Sequence, residues 1–150
     1  MNHIKGIPIA TEGMPFVPAL SHGNALPLLH EIEVLLSDLV TTGKSASIDL
    51  RSLPMLPDDY EKLLEVLGEG EVSATVNVLG PTLARETAIH GVWWVTHQNA
   101  DGEVTAQFIE VTYLPEILKT HPADARAAVE TLRSRLLQSA PMTEGDDHAG

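Results

Sequence analysis

The sequence contains no cysteine. Disulfides, thiolate nucleophiles, zinc–cysteine sites and iron–sulfur ligation by this chain are therefore excluded. It also lacks any apolar run that approaches about 18 residues, and no basic-then-apolar signal pattern opens the chain. These absences predict a cytoplasmic protein that does not interact with membranes.

Basic residues are scarce. Nine Lys and Arg face 21 Asp and Glu, which gives a formal net charge of −12. Binding to nucleic acid or to an anionic membrane is disfavoured, because little positive charge is available to neutralise phosphates. An acidic surface can favour a basic partner, although acidity more often serves solubility.

Length and proline content predict how the chain is divided. A chain of 150 residues fits one domain with a sizeable core. Three prolines and two glycines in residues 1–22 disfavour a helix there and predict an extended arm packed on the domain. The alternative is a segment that adds to a partner or to a second copy of the chain. Residues 23–140 are predicted to form a single α+β domain, and the small, polar, acidic residues 141–150 to form a disordered tail.

Apolar residues at helical spacing predict three helices, at about 24–41, from 58 to 67, and from 122 onward. Asn24 is a candidate N-cap for the first helix, and Pro122 opens the last. Asp58 and Asp59 fall in the first turn of the second helix, where the helix dipole favours anions. We interpret them as structural carboxylates.

Alternating and β-branched stretches predict four strands, at residues 45–51, 71–79, 83–97 and 103–114. Gly91 lies inside the long third stretch, where a glycine suggests that the strand is either broken or bulged. Residues 99–102 form a hairpin signal before the last strand. The predicted fold is α+β, an antiparallel four-stranded sheet with about three helices packed mainly on one face.

The stretch Leu67–Ala74 marks a sharp change of direction. Helical spacing ends at Gly68, which can adopt the left-handed conformation, and alternation with period two begins three residues later. The two glycines of this corner allow a tight turn that presents Glu69 and Glu71. The corner is not a phosphate loop, since it follows a helix, is acidic and lacks the P-loop lysine.

The run Leu-Gly-Glu-Gly-Glu-Val-Ser-Ala at 67–74 resembles a motif of the HupH/HyaF family of hydrogenase expression/formation proteins. The segments at 85–93, 109–111 and 115–118 resemble further family segments in the same order. The resemblance covers residues 45–120 and a C-terminal helix. The residues carried over as candidate partner-binding positions are Gly68, Glu69, Gly70, Glu71, Ser73, Glu86, Gly91, Trp93, Glu110 and Pro115.

The resemblance implies an accessory, chaperone-like factor of [NiFe]-hydrogenase maturation without catalytic activity, cofactor or metal. Its implied partners are an immature hydrogenase subunit, with the small subunit favoured, or a thioredoxin-like companion protein. Family members are often longer and contain two related units, whereas this chain has room for one. One interpretation is a divergent, standalone paralogue that works as a homodimer and so restores the two-unit arrangement. His90 also stands where proline is more usual in the family.

Two alternative functions belong to other classes of protein, an enzyme and a generic interaction module. A small metal-dependent enzyme would require Glu71, Glu86 and His90 to converge within ligand distance, and Glu69 with Glu71 could act as an acid–base pair. The histidines show no His-Glu-x-x-His spacing, and no nucleophile-elbow motif occurs. A generic homodimeric interaction module would instead bury a large apolar self-interface.

The pair Trp93-Trp94 contains the only tryptophans of the chain. Adjacent strand residues point to opposite faces, so one indole is expected in the core and the other on the second sheet face. One interpretation is that both are covered. The other is that the outward indole joins Glu71, Thr75 and Glu86 in a partner-binding face, since tryptophan is enriched in binding hot spots.

Overall fold

The computed structural model describes residues 23–141. The predicted N-terminal arm, residues 1–22, and residues 142–150 of the predicted tail lie outside the described residues. The chain divides into two compact units, one ending at Leu118 and the other beginning at Lys119.

The described part of the first unit, residues 23–118, contains two α-helices and five strands. These are α1 (Ala25–Thr42), β1 (Ala46–Asp49), α2 (Pro57–Leu67), β2 (Ser73–Asn77), β3 (Pro81–Glu86), β4 (Val92–Gln98) and β5 (Val104–Val111). Short 3₁₀ turns follow β1 and β5, at Leu50–Ser52 and Glu116–Leu118. The second unit contains α3 (Pro122–Ser139).

The sheet is antiparallel in the order β1-β5-β4-β3-β2. It has five strands, so the prediction of four was wrong. The long predicted strand at 83–97 is two strands, β3 and β4, joined by a turn at residues 87–91. Gly91 lies in this turn at φ 92°, and is not a bulge inside one strand. Pro81, which lies between the predicted strands 71–79 and 83–97, is the first residue of β3.

The main core lies between the two helices and one face of the sheet. Buried side chains of α1 and α2 pack against this face, which confirms that these helices share one side of an antiparallel sheet. The buried cluster comprises Leu28, Ile32, Leu39, Ile48, Leu50, Leu63, Leu67, Val92, Ile109 and Val111. Burial of this apolar surface is the principal force that holds the helices on the sheet.

The second face of the sheet carries a smaller apolar cluster. Ala84, Trp93 and Val95 are buried there, with Phe108 and Leu118 packed against them. Apolar and polar residues do not alternate strictly along β5, because Phe108 packs in the cluster on the second face while its neighbour Ile109 packs in the main core. The central strands are therefore apolar on both faces.

The N-terminus of α1 is satisfied by a residue of α2. Asn24 makes no side-chain cap, and its amide nitrogen instead donates to the carbonyl of Pro54. The Asp59 carboxylate accepts hydrogen bonds from the Ala25 N–H at 3.2 Å and from the Leu56 N–H at 3.0 Å. Asp59 is fully buried, which confirms its structural interpretation.

The described part of the second unit, residues 119–141, contains one helix of 18 residues. Pro122 opens α3 as predicted, and the ring of His121 accepts a hydrogen bond from the Ala123 N–H at 3.2 Å. None of the side chains of α3 is buried. None of the helices that the structure describes combines the length and the hydropathy needed to cross a lipid bilayer.

Candidate functional site

The predicted glycine corner connects α2 to β2. Gly68 follows the last residue of α2, and its N–H donates to the Leu64 carbonyl at 2.9 Å. Its φ of 67° is positive as predicted, but its ψ of −170° is extended, so it does not adopt the left-handed helical conformation. This combination is essentially restricted to glycine. A Cβ at this position would lie 2.9 Å from the Cβ of Ala88.

Gly70 packs directly against the end of β3. A Cβ on Gly70 would lie 2.4 Å from the carbonyl oxygen of Thr87 and 2.9 Å from that of Glu86. The absence of a side chain lets the Gly70 N–H donate to the Glu86 carbonyl at 2.9 Å. The Ala88 N–H in turn donates to the Leu67 carbonyl at 2.8 Å. The two segments that resemble family motifs, 67–74 and 85–93, are therefore joined by backbone hydrogen bonds.

The acidic residues of the corner are exposed. Glu69 forms an ion pair with Arg85 at 3.0 Å, and its side chain is 84% exposed. Glu71 and Ser73 are also exposed. Because an exposed ion pair contributes only about 0–1 kcal/mol, the Glu69–Arg85 contact adds little to stability. These three predicted partner-binding residues are available at the surface.

The metal-site alternative requires a convergence that the structure does not bring about. Glu86 lies within 3.4 Å of His90, and its side chain is 13% exposed. Nowhere in residues 23–141 do three or more acidic or histidine side chains group in a way that could hold a metal ion. Glu71 therefore does not join the Glu86–His90 pair.

The two indoles face opposite sides of the sheet, as predicted. Trp93 lies on the second face, is 4% exposed, and donates its indole N–H to the Thr112 carbonyl at 3.2 Å. Trp94 is half-buried on the helix side, where its ring lies 6.5 Å from that of Tyr60. The indole on the second face is thus the more buried of the two.

The grouping of Thr75 with Glu86 on one face was wrong. Thr75 lies opposite Leu83, which in turn lies opposite Thr96, so Thr75 shares the helix side with Trp94. Glu86 lies opposite Trp93 and shares the second face. Trp93 therefore shares its face of the sheet with Glu86 but not with Thr75.

Glu110 lies on the second face between neighbours of both charges. It pairs with Trp93 on β4 and with Ser47 on β1. Partial burial raises the pKa of the Glu110 carboxyl, the positive charge of His97 lowers it, and the negative charge of Glu116 raises it further. The net direction is upward, so burial dominates.

The remaining two candidate residues, Pro115 and Gly91, pack closely against other parts of the fold. Pro115 is fully buried after β5, and its carbonyl accepts the N–H of Leu118. A Cβ at Gly91 would lie 3.0 Å from the Cδ1 of Leu36, so the turn before β4 packs closely on α1. Their contact with a partner stays a prediction.

An open cleft of about 340 Å³ lies on the helix side, between α2 and the sheet. Apolar and amide side chains line it together with the corner. The lining residues are Tyr60, Leu64, Leu67, Gly68, Glu69, Leu83, Arg85, Glu86, Thr87, Trp94, Thr96, Gln98 and Gln107. Such a mixture of apolar surface with a few polar groups is typical of binding sites.

Six of these lining residues were missed by sequence reasoning: Tyr60, Leu64, Leu83, Thr96, Gln98 and Gln107. Tyr60 and Leu64 read as ordinary members of a helical stripe. Gln98 and Gln107 lie in phase with Trp94 and Ile109 on the face that packs against the helices. A polar side chain in phase with core residues was the available signal.

The structure defines a class of protein: a small α+β protein with an acidic glycine corner, a cleft between helix and sheet, and a sheet whose order ends at β2. The chain belongs to the HupH hydrogenase expression protein family, because residues 23–140 match the family model described as its C-terminal conserved region. The expected resemblance is thereby confirmed.

Relatives support the assignment. The chain is 35% identical over 125 residues to the hydrogenase expression/formation protein HupQ of Azotobacter chroococcum mcd 1, covering 81% of this chain and 43% of that protein. It is 36% identical over 98 residues to HoxQ of Azotobacter vinelandii, covering 65% of this chain and 34% of that protein. The chain therefore spans less than half the length of these curated relatives.

A solved structure matches the fold. The hydrogenase expression protein HupH from Thiobacillus denitrificans ATCC 25259 shares 49% sequence identity with this chain and superimposes with a TM-score of 0.74. The match covers 77% of this chain and 97% of that one. Nearly the whole of that structure thus corresponds to a part of this chain.

Proposed function

We propose that this protein is an accessory factor of hydrogenase maturation that binds an immature hydrogenase subunit, with the small subunit as the first candidate. The observation that carries the proposal is family membership together with relatives that are hydrogenase expression/formation proteins. The proposed role is binding without catalysis and takes place in the cytoplasm.

The exposed corner and the neighbouring cleft supply the proposed contact surface. Glu69, Glu71 and Ser73 are exposed beside a cleft that contains apolar surface from Tyr60 and Trp94. Exposed carboxylates orient a partner and speed its association, while apolar surface supplies most of the affinity. Trp93 is buried on the second face of the sheet, opposite this surface.

Co-purification of the tagged protein with separately expressed hydrogenase subunit precursors tests the proposal. We expect capture of the small-subunit precursor, with the large-subunit precursor and a thioredoxin-like companion protein as parallel baits. Glu71→Lys should reduce capture by about three- to tenfold, since reversal removes an attraction and adds a repulsion. Asp101→Lys is the matched control, because this exposed carboxylate lies in the β4–β5 hairpin, away from the corner.

Two outcomes of this co-purification would contradict the proposal or part of it. If none of the three baits is retained by the wild-type protein at micromolar concentration, the assignment to subunit binding is wrong. If the small-subunit precursor is retained equally by both charge-reversed variants, the corner is not part of the contact surface.

A further inference from the structure

The outer edge of β2 carries backbone groups that the described sheet leaves unpaired. Within residues 23–141, β2 is the last strand of the sheet and pairs only with β3. The Glu86 N–H donates to the Val72 carbonyl at 2.9 Å, and the Val78 N–H donates to the Gly80 carbonyl at 3.3 Å. These two bonds fix which residues turn their backbone groups toward β3.

Alternate residues of an antiparallel strand direct their N–H and C=O groups to the same side. Because Val72 and Val78 bond toward β3, the residues in between that share their phase, Ala74 and Val76, do so as well. Ser73, Thr75 and Asn77 therefore point their N–H and C=O groups away from the sheet. Asn77 lies opposite Pro81, which has no N–H to donate, and this agrees with the assignment.

The strand β2 itself, as far as the structure describes the chain, lacks the sequence features that usually block strand addition. Natural edge strands carry lysine, proline, an inward-pointing charge or a bulge. The segment Ser73–Asn77 has no charged residue and no proline, and Ser73, Thr75 and Asn77 are exposed. At the opposite edge, β1 has only four residues and includes Asp49. The edge of β2 is thus the more open of the two.

Apolar and acidic groups frame the edge. Val72 is 46% exposed, and Val78 and Leu79 are 73% and 91% exposed. At the corner end, the Glu71 carboxylate is exposed and forms no ion pair with the part of the chain that the structure describes. An uncharged strand with a basic residue at one end is complementary to this arrangement.

We infer that the edge of β2 binds an extended segment of a partner protein, which adds as a sixth strand and places a Lys or Arg beside Glu71. The segment bonds to the backbone groups of Ser73, Thr75 and Asn77 and presents alternate side chains next to Val72 and Val78. Strand addition is an established mode of peptide recognition in which backbone hydrogen bonds supply affinity and side chains supply specificity. The inference rests on the proposed function for the identity of the partner, and on the edge itself for the mode of binding.

The variants Thr75→Pro and Thr75→Ala form the test. Proline removes the outward N–H without removing a bond to β3, and edge positions of this kind tolerate proline. Alanine removes the side chain but keeps the N–H. Capture of the small-subunit precursor should fall at least about tenfold for Thr75→Pro and change less than about twofold for Thr75→Ala. Equal capture by both variants overturns the inference and leaves the proposed function intact.

Amide hydrogen exchange on the wild-type protein makes the test independent of how the proline variant folds. The complex should protect the amides of Ser73, Thr75 and Asn77, while the β1 amides stay unchanged as an internal control. Protection elsewhere with an unprotected β2 edge overturns the inference.

A synthetic peptide separates the two proposals. The probe is a blocked peptide of alternating Thr and Val with a Lys at each end, compared with the same peptide carrying N-methyl groups on alternate residues. Binding of the unmodified peptide alone, with β2 protected, supports the edge even if no hydrogenase subunit is captured. Failure of both the peptide and the subunits overturns both proposals. Concentration-dependent protection of β2 in the protein alone assigns the edge to a second copy and overturns the choice of partner.

Discussion

At the scale of single residues, Glu110 shows how the surroundings change a side chain that the sequence alone presents as ordinary. In the alternation of β5 it is simply the polar residue between Ile109 and Val111. The pKa of its carboxyl is raised only in the folded protein, where the side chain is partly buried beside Trp93 and lies near the negative charge of Glu116. Sequence reasoning found the position but had no means of finding the shift.

The raised pKa predicts a pH dependence of stability. Because the folded state binds the Glu110 proton more tightly than the unfolded state, this group contributes stability that is fully present below the unfolded-state pKa. The contribution is lost as the pH rises through the folded-state pKa, which lies above the ordinary value of 4.5. We expect Glu110→Gln, which stays neutral, to gain stability relative to the wild type as the pH increases from 4 to 7.

Urea unfolding of both proteins across this pH range measures the effect. Glu61→Gln is the control, since Glu61 is an exposed carboxyl of α2 and its removal should give no such trend. If the free energy of unfolding differs between Glu110→Gln and the wild type by the same amount at every pH, folding does not shift the pKa of the Glu110 carboxyl.

At the scale of elements, periodicity identified the elements that are regular along their whole length. The stripe Tyr60, Leu63, Leu64 and Leu67 predicted α2 with its correct end, and alternation predicted β2 and β5. A break near Gly91 was predicted only as an alternative to a bulge, because the bonds that make the break include those of a side chain. The Thr87 hydroxyl donates to the carbonyls of Ile89 and Val92, and holds the turn in a stretch that still looks strand-like. Local side-chain bonds of this kind leave no trace in a hydrophobic pattern.

The corner yields a prediction about how α2 is fixed to the sheet. Gly70→Ala should destabilise the protein by about 3 kcal/mol, at the upper end of overpacking costs, because its Cβ would lie 2.4 Å from a backbone oxygen that cannot move freely. Gly43→Ala is the matched control. It has φ 76° with nothing within 4 Å of a Cβ, so it should cost only about 1–2 kcal/mol from backbone strain.

Chemical denaturation with constant m-values measures both changes. A Gly70→Ala variant as stable as Gly43→Ala would mean that the corner shifts away from Thr87 easily. It would then not fix the helix against the sheet.

At the scale of the whole molecule, stability depends on contacts between residues that are distant in sequence. The Asp59 carboxylate joins the start of α2 to the start of α1 across 34 positions. Its neighbour Asp58 occupies the same helical turn but is exposed. The sequence predicted the same structural role for both residues. In the folded protein only Asp59 is buried, and only its carboxylate accepts hydrogen bonds from the Ala25 and Leu56 N–H groups.

Asp59→Ala should therefore lower the free energy of unfolding by about 2–3 kcal/mol, since it leaves the buried N–H of Ala25 and the partly buried N–H of Leu56 without their carboxylate acceptor. Asp58→Ala should cost at most about 1 kcal/mol, through the helix dipole. Thermal and urea unfolding of the two single variants compare them directly. Equal losses would show that the dipole, and not the buried hydrogen bonds, accounts for the effect of Asp59.

The sequence by itself determined the α+β class, the three helices, the glycine corner and the family, because composition, periodicity and a contiguous motif are properties of neighbouring residues. Only the tertiary structure decided the fifth strand, the burial of Trp93, the separation of Thr75 from Glu86, and the cleft beside Trp94. It also decided which of the described strands lie at the two edges of the sheet, since strand order depends on pairings between distant segments. Local pattern fixes which face of a strand is apolar, but the neighbours of that strand are chosen by the packing of the whole chain.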